Sequence, residues 1–173
     1  PAKPFFLHVN FTAPHDPLIM QPGYDHKYLP EEMPLPANFL PRHPFDHGNF
    51  DGRDERLLPW PRTEQLVREV TAVYYSVVSH MDEQIGRILA ALDETGLAEN
   101  TIVIFSSDHG PAPVVLGSKG VREYSKNMLG YAGQFRGGKH TQLEGGTRVP
   151  FIIRWPGHVK TGRVDTQNVC SFI

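Results

Sequence analysis

The 173 residues comprise 39% hydrophobic and 21% charged side chains, an ordinary globular composition with enough chain for one sizeable core. The net charge of −2 provides no basic field of the kind that nucleic acids bind, so we expect no nucleic-acid partner. The apolar runs are far shorter than the ~20 residues that a membrane-crossing helix needs, so we expect no membrane span. The single cysteine, Cys170, cannot form a disulfide within this sequence.

The first predicted element is a strand over residues 5–11, which are rich in aromatic and apolar side chains. His15 follows in a turn between Pro14 and Pro17, which restrict the backbone and therefore the direction of the imidazole. A fixed direction suits a catalytic or ligand-binding histidine. A histidine that is simply exposed in a proline-rich turn fits these residues as well.

Residues 20–62 contain eight prolines and show no sustained periodicity, which predicts a long irregular loop. Their aromatic side chains favour a loop that packs on the rest of the protein over a disordered one. Residues 63–95 then predict a long helix, with Thr63 as its N-cap and Gly96 as its left-handed stop. Its apolar stripe comprises Leu66, Val70, Val73, Val77, Met81, Ile85, Ile88 and Leu92.

Residues 101–110 predict a strand buried on both faces that ends in a polar tip at Asp108 and His109. In open α/β sheets, ligands bind at the carboxyl ends of strands, so this tip is a candidate site. Gly110 is expected to allow a tight turn behind the pair. From these residues alone, Asp108 is equally well explained as a cap and His109 as a surface turn residue.

A second candidate site lies at Lys139, after an irregular stretch over residues 111–136. Gly137 and Gly138 allow the backbone to approach a ligand closely, and a lysine ammonium suits an oxyanion. The spacing is not that of a P-loop, because His140 stands where that motif requires Ser or Thr. Residues 151–155 predict a further strand.

Three stretches, taken together and in this order, resemble the type I sulfatases, which are arylsulfatase-like members of the alkaline phosphatase superfamily. They are Ala13-Pro14-His15-Asp16-Pro17, Ser107-Asp108-His109-Gly110, and Gly138-Lys139 with Glu144-Gly145-Gly146-Thr147-Arg148-Val149-Pro150. The resemblance implies an α/β fold with a mixed, largely parallel sheet flanked by helices. It also implies that residues 1–173 are the central part of a single sulfatase catalytic domain, truncated at both ends.

The resemblance also implies roles for individual residues. Asp108 and His109 match the positions that bind a divalent cation, which is usually Ca²⁺ in this family. Most sulfatases have an asparagine where His109 stands, and imidazole suits Mn²⁺ or another transition metal better than Ca²⁺. Lys139 matches a catalytic lysine on the sulfate oxygens, and His15 a catalytic histidine near sulfate and the leaving group. His140 is predicted to bind substrate beside them.

One part of the family pattern is missing from the sequence. These sulfatases make a formylglycine nucleophile from a Cys/Ser-x-Pro-x-Arg motif, and the 173 residues contain no such motif. We therefore expect the formylglycine and two further aspartate ligands in a part preceding Pro1, and an inactive chain without them. The motif from Glu144 to Arg148 is expected to be mainly structural and to hold Lys139 in place.

The function implied is hydrolysis of a sulfate monoester, on a sulfated small molecule or glycan. Two alternatives stay open: a phosphonate monoester or phosphodiester hydrolase of the same superfamily, and a non-catalytic protein that binds sulfated glycans. An exposed sheet edge would favour a homo-oligomer. The family favours a periplasmic, extracellular or lysosomal location, and the sequence does not identify the alcohol released.

Overall fold

The computed structural model describes residues 3–44, 50, 55–111, 132–139 and 141–166. Two compact units divide the chain, and within the described residues the boundary falls between Arg87 and Ile88. The helices are α1, Glu64–Glu94, and the short α2, Glu144–Thr147; the strands are β1, Val103–Ser106, and β2, Phe151–Arg154. Single 3-10 turns lie at Pro30–Glu32, Glu55–Leu57 and Ala98–Asn100.

Helix α1 is the predicted long helix, and both of its ends are stabilised as predicted. The Thr63 hydroxyl accepts a hydrogen bond of 3.1 Å from the Leu66 backbone N–H, which confirms the N-cap. Gly96 follows the last turn with a φ of +69°. The amides of Gly96 and Leu97 donate to the carbonyls of Asp93 and Leu92 at 3.0 and 2.9 Å, a Schellman arrangement.

In the first unit, described residues of the loop over residues 20–62 pack on α1, as predicted. Ser76 is only 1% exposed, and its hydroxyl donates to the Tyr24 carbonyl at 3.1 Å. The Tyr28 and Ser79 hydroxyls share a hydrogen bond of 2.8 Å. Buried polar groups of the helix therefore find their partners in the loop, which is why an irregular segment can lie against it.

The strand predicted over residues 5–11 is wrong for the described structure. These residues carry no strand pairing, and Phe6 and Leu7 are 91% and 64% exposed. Side-chain pattern alone does not make a strand, because the backbone N–H and C=O groups need a neighbouring strand as partner.

The described sheet lies in the second unit and consists of β1 and β2. The two strands are antiparallel, with Val103 opposite Arg154 and Ser106 opposite Phe151. This confirms both predicted strands, whereas the predicted parallel pairs are not among the pairs of the described residues. The prediction that β1 is buried on both faces is wrong here: Ile104 is 49% exposed, because a strand side chain is buried only where a second layer covers it.

Among the described residues, no helix combines the length with the apolar character that crossing a bilayer requires.

Candidate functional site

The polar tip predicted after β1 places two metal-capable atoms side by side. Oδ2 of Asp108 lies 3.0 Å from Nε2 of His109. Two donors at right angles, each about 2.1–2.6 Å from one cation, are about 3.0–3.7 Å apart, so this spacing fits neighbouring ligands of a single ion. The side chains are 81% and 36% exposed respectively, so both can be reached from solvent.

A hydrogen bond to the backbone orients the ring of His109. Its Nδ1 lies 2.8 Å from the carbonyl oxygen of Gly110. Because a carbonyl oxygen only accepts, Nδ1 must donate, which leaves Nε2 facing Asp108. A proton on Nε2 can be donated to the carboxylate, whereas Nε2 without a proton offers its lone pair to a cation. A metal-binding histidine is usually oriented in this way by its second nitrogen. In the described ranges, no third His, Cys, Asp or Glu joins this pair.

Ser107 makes two hydrogen bonds that hold the turn after β1. Its backbone N–H donates to the Pro150 carbonyl at 3.4 Å, which extends the β1–β2 pairing by one residue. Its hydroxyl donates to the His109 carbonyl at 3.2 Å. The end of β1 is thus tied to the start of β2 and to the histidine that follows.

Four glycines bring the loops of the second unit into backbone contact; we call Gly110, Gly137, Gly145 and Gly146 the glycine clasp. A Cβ on Gly110 would overlap the Gly145 carbonyl oxygen and lie 2.9 Å from its carbon. A Cβ on Gly145 would overlap the Gly137 carbonyl, and one on Gly146 would lie 2.5 Å from the carbonyl oxygen of Thr141. No side chain fits at these positions, so the sequence requires glycine there.

The contacts of Gly110 differ from the tight turn that was expected to require a glycine there. Its backbone does not adopt a positive φ, so left-handed turn geometry does not explain the residue. Glycine is needed at this position because another backbone approaches it closely, and the Gly110 N–H donates to the Gly146 carbonyl at 3.0 Å.

Backbone hydrogen bonds hold the Lys139 loop in the same cluster. The N–H of Lys139 donates to the Pro111 carbonyl at 2.8 Å, and the N–H of Gly145 donates to the Arg136 carbonyl at 2.8 Å. Since Pro111 follows Gly110 directly, the Lys139 backbone is bonded only three residues beyond Asp108. The structure therefore brings the loops that carry Asp108, His109 and Lys139 together.

The remaining part of the motif packs locally. The guanidinium of Arg148 lies 4.5 Å from the centroid of the Phe135 ring and 3.0 Å from Oε2 of Glu144. Gly145 and Gly146 are buried in the clasp. These contacts agree with the structural role expected for the motif.

His15 belongs to the first unit, where its own turn orients it. Its backbone N–H donates to the Thr12 carbonyl at 2.9 Å, and its Nδ1 donates to the Asp16 carbonyl at 2.7 Å. Nε2 is therefore the ring atom left for a ligand, and the side chain is 55% exposed. Its role stays a prediction, while His140 and Cys170 lie outside the described residues.

Sequence reasoning missed Thr141, whose hydroxyl bonds both backbone groups of Gly138. It accepts from the Gly138 N–H at 3.1 Å and donates to the Gly138 carbonyl at 2.8 Å. The available signal was a threonine three residues after a glycine in a loop, since Ser and Thr hydroxyls often bond nearby backbone in turns.

Comparisons with known proteins bear directly on this arrangement. A family model described as Sulfatase matches residues 1–172. The chain is 35% identical over 163 residues to an arylsulfatase of Clostridium perfringens, covering 94% of this chain and 30% of that protein. It is 48% identical over 100 residues to the steryl-sulfatase of Mus musculus, covering 58% of this chain and 15% of that protein.

A further relative, the multifunctional alkaline phosphatase superfamily protein PehA of Trinickia caryophylli, is 28% identical over 203 residues, covering 99% of this chain and 38% of that protein. The chain thus spans between 15% and 38% of the length of these three relatives. Because the family model matches almost every residue, the predicted resemblance is confirmed: the chain belongs to the sulfatase family, whose alkaline-phosphatase-like α/β fold includes the helix and strands described above.

Proposed function

We propose that the complete protein carrying this chain is a sulfuric ester hydrolase that cleaves a sulfate monoester. The observation that carries the proposal is the glycine clasp, which holds the Asp108–His109 loop and the Lys139 loop together in a chain of the sulfatase family. The arylsulfatase and steryl-sulfatase names of two relatives agree with it.

Lys139 and His15 have distinct roles in the proposed reaction. Cleavage of a sulfate ester builds negative charge on the sulfate oxygens and on the leaving oxygen, and a positioned ammonium stabilises such charge best in a site that is already organised. Lys139 supplies that ammonium to the sulfate oxygens, with its backbone fixed by Pro111. In its doubly protonated form, His15 gives the Nε2 proton to the leaving alkoxide and is left as a neutral ring, because Nδ1–H stays hydrogen-bonded to the Asp16 carbonyl. Such proton transfer contributes about 10²–10⁴-fold.

Asp108 and His109 would hold the divalent cation. Their donor atoms are 3.0 Å apart and accessible. The carboxylate suits Ca²⁺, whereas the imidazole suits Mn²⁺ or another transition metal better. When bound, the cation supplies positive charge that neutralises the sulfate oxygens. Further ligands and the formylglycine nucleophile are proposed to come from parts of the complete protein outside this chain, and His140 is kept as a proposed substrate contact.

The test is hydrolysis of 4-nitrophenyl sulfate by the purified complete protein. We expect Lys139→Met to lower kcat/KM by about 10²–10³-fold, as for removal of one oxyanion donor. Lys160→Met, at an exposed lysine of the same unit, is the matched control and should leave the rate unchanged. Equal activity of the Lys139 variant and the control would contradict the proposal.

A phosphonate monoester or phosphodiester hydrolase is the second candidate. The histidine at position 109, where most sulfatases have an asparagine, favours it. The match over 99% of the chain to a relative named as a multifunctional alkaline phosphatase superfamily protein agrees with a superfamily member that is not restricted to sulfate esters. Parallel assays with 4-nitrophenyl phenylphosphonate and 4-nitrophenyl sulfate separate the two, because a strong phosphonate preference would replace the sulfatase assignment. Binding of a sulfated glycan with no hydrolysis of either ester would instead identify a binding protein.

A further inference from the structure

Lys139 follows Gly138, and both main-chain polar groups of that glycine are buried with it. Buried N–H and C=O groups need partners, and an unpartnered one costs about 1–3 kcal/mol. Here one side chain serves both groups: the Thr141 hydroxyl accepts from the Gly138 N–H at 3.1 Å and donates to the Gly138 carbonyl at 2.8 Å. The Thr141 backbone N–H adds a second bond to that carbonyl at 3.0 Å.

The same hydroxyl also lies against the glycine clasp. A Cβ on Gly137 would lie 2.5 Å from Thr141 Oγ1, and one on Gly146 would lie 3.0 Å from it. Gly137 has a φ of +85°, so the chain enters this contact in a conformation that only glycine adopts readily. The hydroxyl therefore occupies the point where the clasp meets the residue that precedes Lys139.

We propose that Thr141 is a positioning residue for Lys139: its hydroxyl fixes the Gly138–Lys139 peptide against the clasp and so sets where the ammonium meets the anion. The inference rests on the proposed role of Lys139. A small misplacement of a binding group can reduce a rate by about 10²-fold, so a hydroxyl that touches no substrate can still control turnover.

The experiment compares Thr141→Val with Thr141→Ser in the complete protein. Valine keeps the branched shape and the backbone N–H but leaves the Gly138 N–H without the hydroxyl, whereas serine keeps the hydroxyl. We expect valine to lower kcat/KM for 4-nitrophenyl sulfate by about 10- to 100-fold and to weaken binding of inorganic sulfate, and serine to restore most of both. Thr101→Val is the matched control, because the Thr101 hydroxyl donates to a single carbonyl, that of Leu97, at 2.7 Å.

A double-mutant cycle with Lys139→Met separates positioning from a merely structural role. If Thr141 acts through Lys139, Thr141→Val will cause no further loss of sulfate affinity once the ammonium is gone. An equal loss in both backgrounds, or wild-type affinity in the Thr141→Val single variant, would overturn the inference. Sulfate affinity is read by calorimetry on folded protein, so it is independent of turnover.

The two proposals fail in different ways. If the protein binds sulfate through Lys139 but hydrolyses no sulfate ester, the proposed function fails while the cycle still decides the role of Thr141. If Lys139→Met leaves sulfate binding intact while Thr141→Val weakens it, the positioning inference is overturned.

Discussion

Replacing Gly145 by alanine should disrupt the clasp more than any surface change of the same size. The added Cβ would overlap the Gly137 carbonyl oxygen and lie 2.7 Å from its carbon and 2.8 Å from the Arg136 carbonyl oxygen. All three atoms belong to backbone, so no side chain can rotate away and a loop must move. Overpacking of this kind costs about 1–3 kcal/mol. The hydrogen bond from the Gly145 N–H to Arg136 adds about 1 kcal/mol when the loops separate.

We therefore expect Gly145→Ala to lower the free energy of unfolding by about 2–4 kcal/mol, measured by urea denaturation of the complete protein. The matched control is Gly86→Ala, on the exposed part of α1, where an added Cβ meets nothing within 4 Å. That change should instead stabilise the protein by up to about 1 kcal/mol, because alanine is the better helix former. If both variants shift the midpoint in the same direction, the close approach at Gly145 is not what makes glycine necessary.

Three further predictions follow from single contacts. The Tyr24 hydroxyl donates to the Glu83 carboxylate, and this hydrogen bond raises the pKa of Tyr24 above 10.0. Desolvation of the hydroxyl and the negative charge of Glu83 raise it further, by smaller amounts. The raised pKa stabilises the fold below pH 10 and the effect is lost at higher pH; Glu83→Gln should shift the ultraviolet titration of Tyr24 back toward 10.0. Thr63→Ala should lower the free energy of unfolding by about 0.5–2 kcal/mol, because it removes the hydroxyl that accepts from the Leu66 N–H. Thr63→Ser keeps that hydroxyl and should stay near wild type in the same urea denaturation. His109→Ala should weaken Mn²⁺ binding, measured by electron paramagnetic resonance, by at least about tenfold, and unchanged binding would remove His109 from the metal site.

The parts of the fold that depend on neighbouring residues could be predicted from the sequence. Helix α1 carries its own periodicity, cap and stop, and the structure begins and ends it within one residue of the predicted limits. Strands β1 and β2 were found from apolar runs bounded by turn residues. Residues 5–11 have a similar composition, but no described segment pairs with them. A strand needs a second segment beside it, and the composition of one segment does not show whether that partner is present.

In the candidate site, too, features carried by neighbouring residues were easier to predict than contacts between distant segments. Asp108 and Lys139 could be chosen as candidates because chemistry-bearing residues mark a strand end and a glycine-rich loop. The reason for Gly110 could not be found, because its neighbour is the backbone of Gly145, 35 residues further along the chain. A sequence shows that a glycine is present but not which backbone approaches it. Thr141 was missed for a different reason: its partner Gly138 is only three residues away, but a nearby threonine does not by itself show that its hydroxyl bonds both backbone groups of that glycine.

In this cluster, the atoms that hold the loops together differ from those proposed to bind the cation and the sulfate. The loops are held by main-chain bonds at Gly110 and Lys139 and by the Thr141 hydroxyl, whereas the Asp108 carboxylate is 81% exposed. Because exposed charges contribute about 0–1 kcal/mol to stability, Asp108→Asn should leave the free energy of unfolding nearly unchanged. The same variant should lose metal affinity and turnover, while Gly110→Ala should lose stability first. A strongly destabilised Asp108→Asn protein would show that the carboxylate supports the fold, and the separation of the two roles would then be wrong.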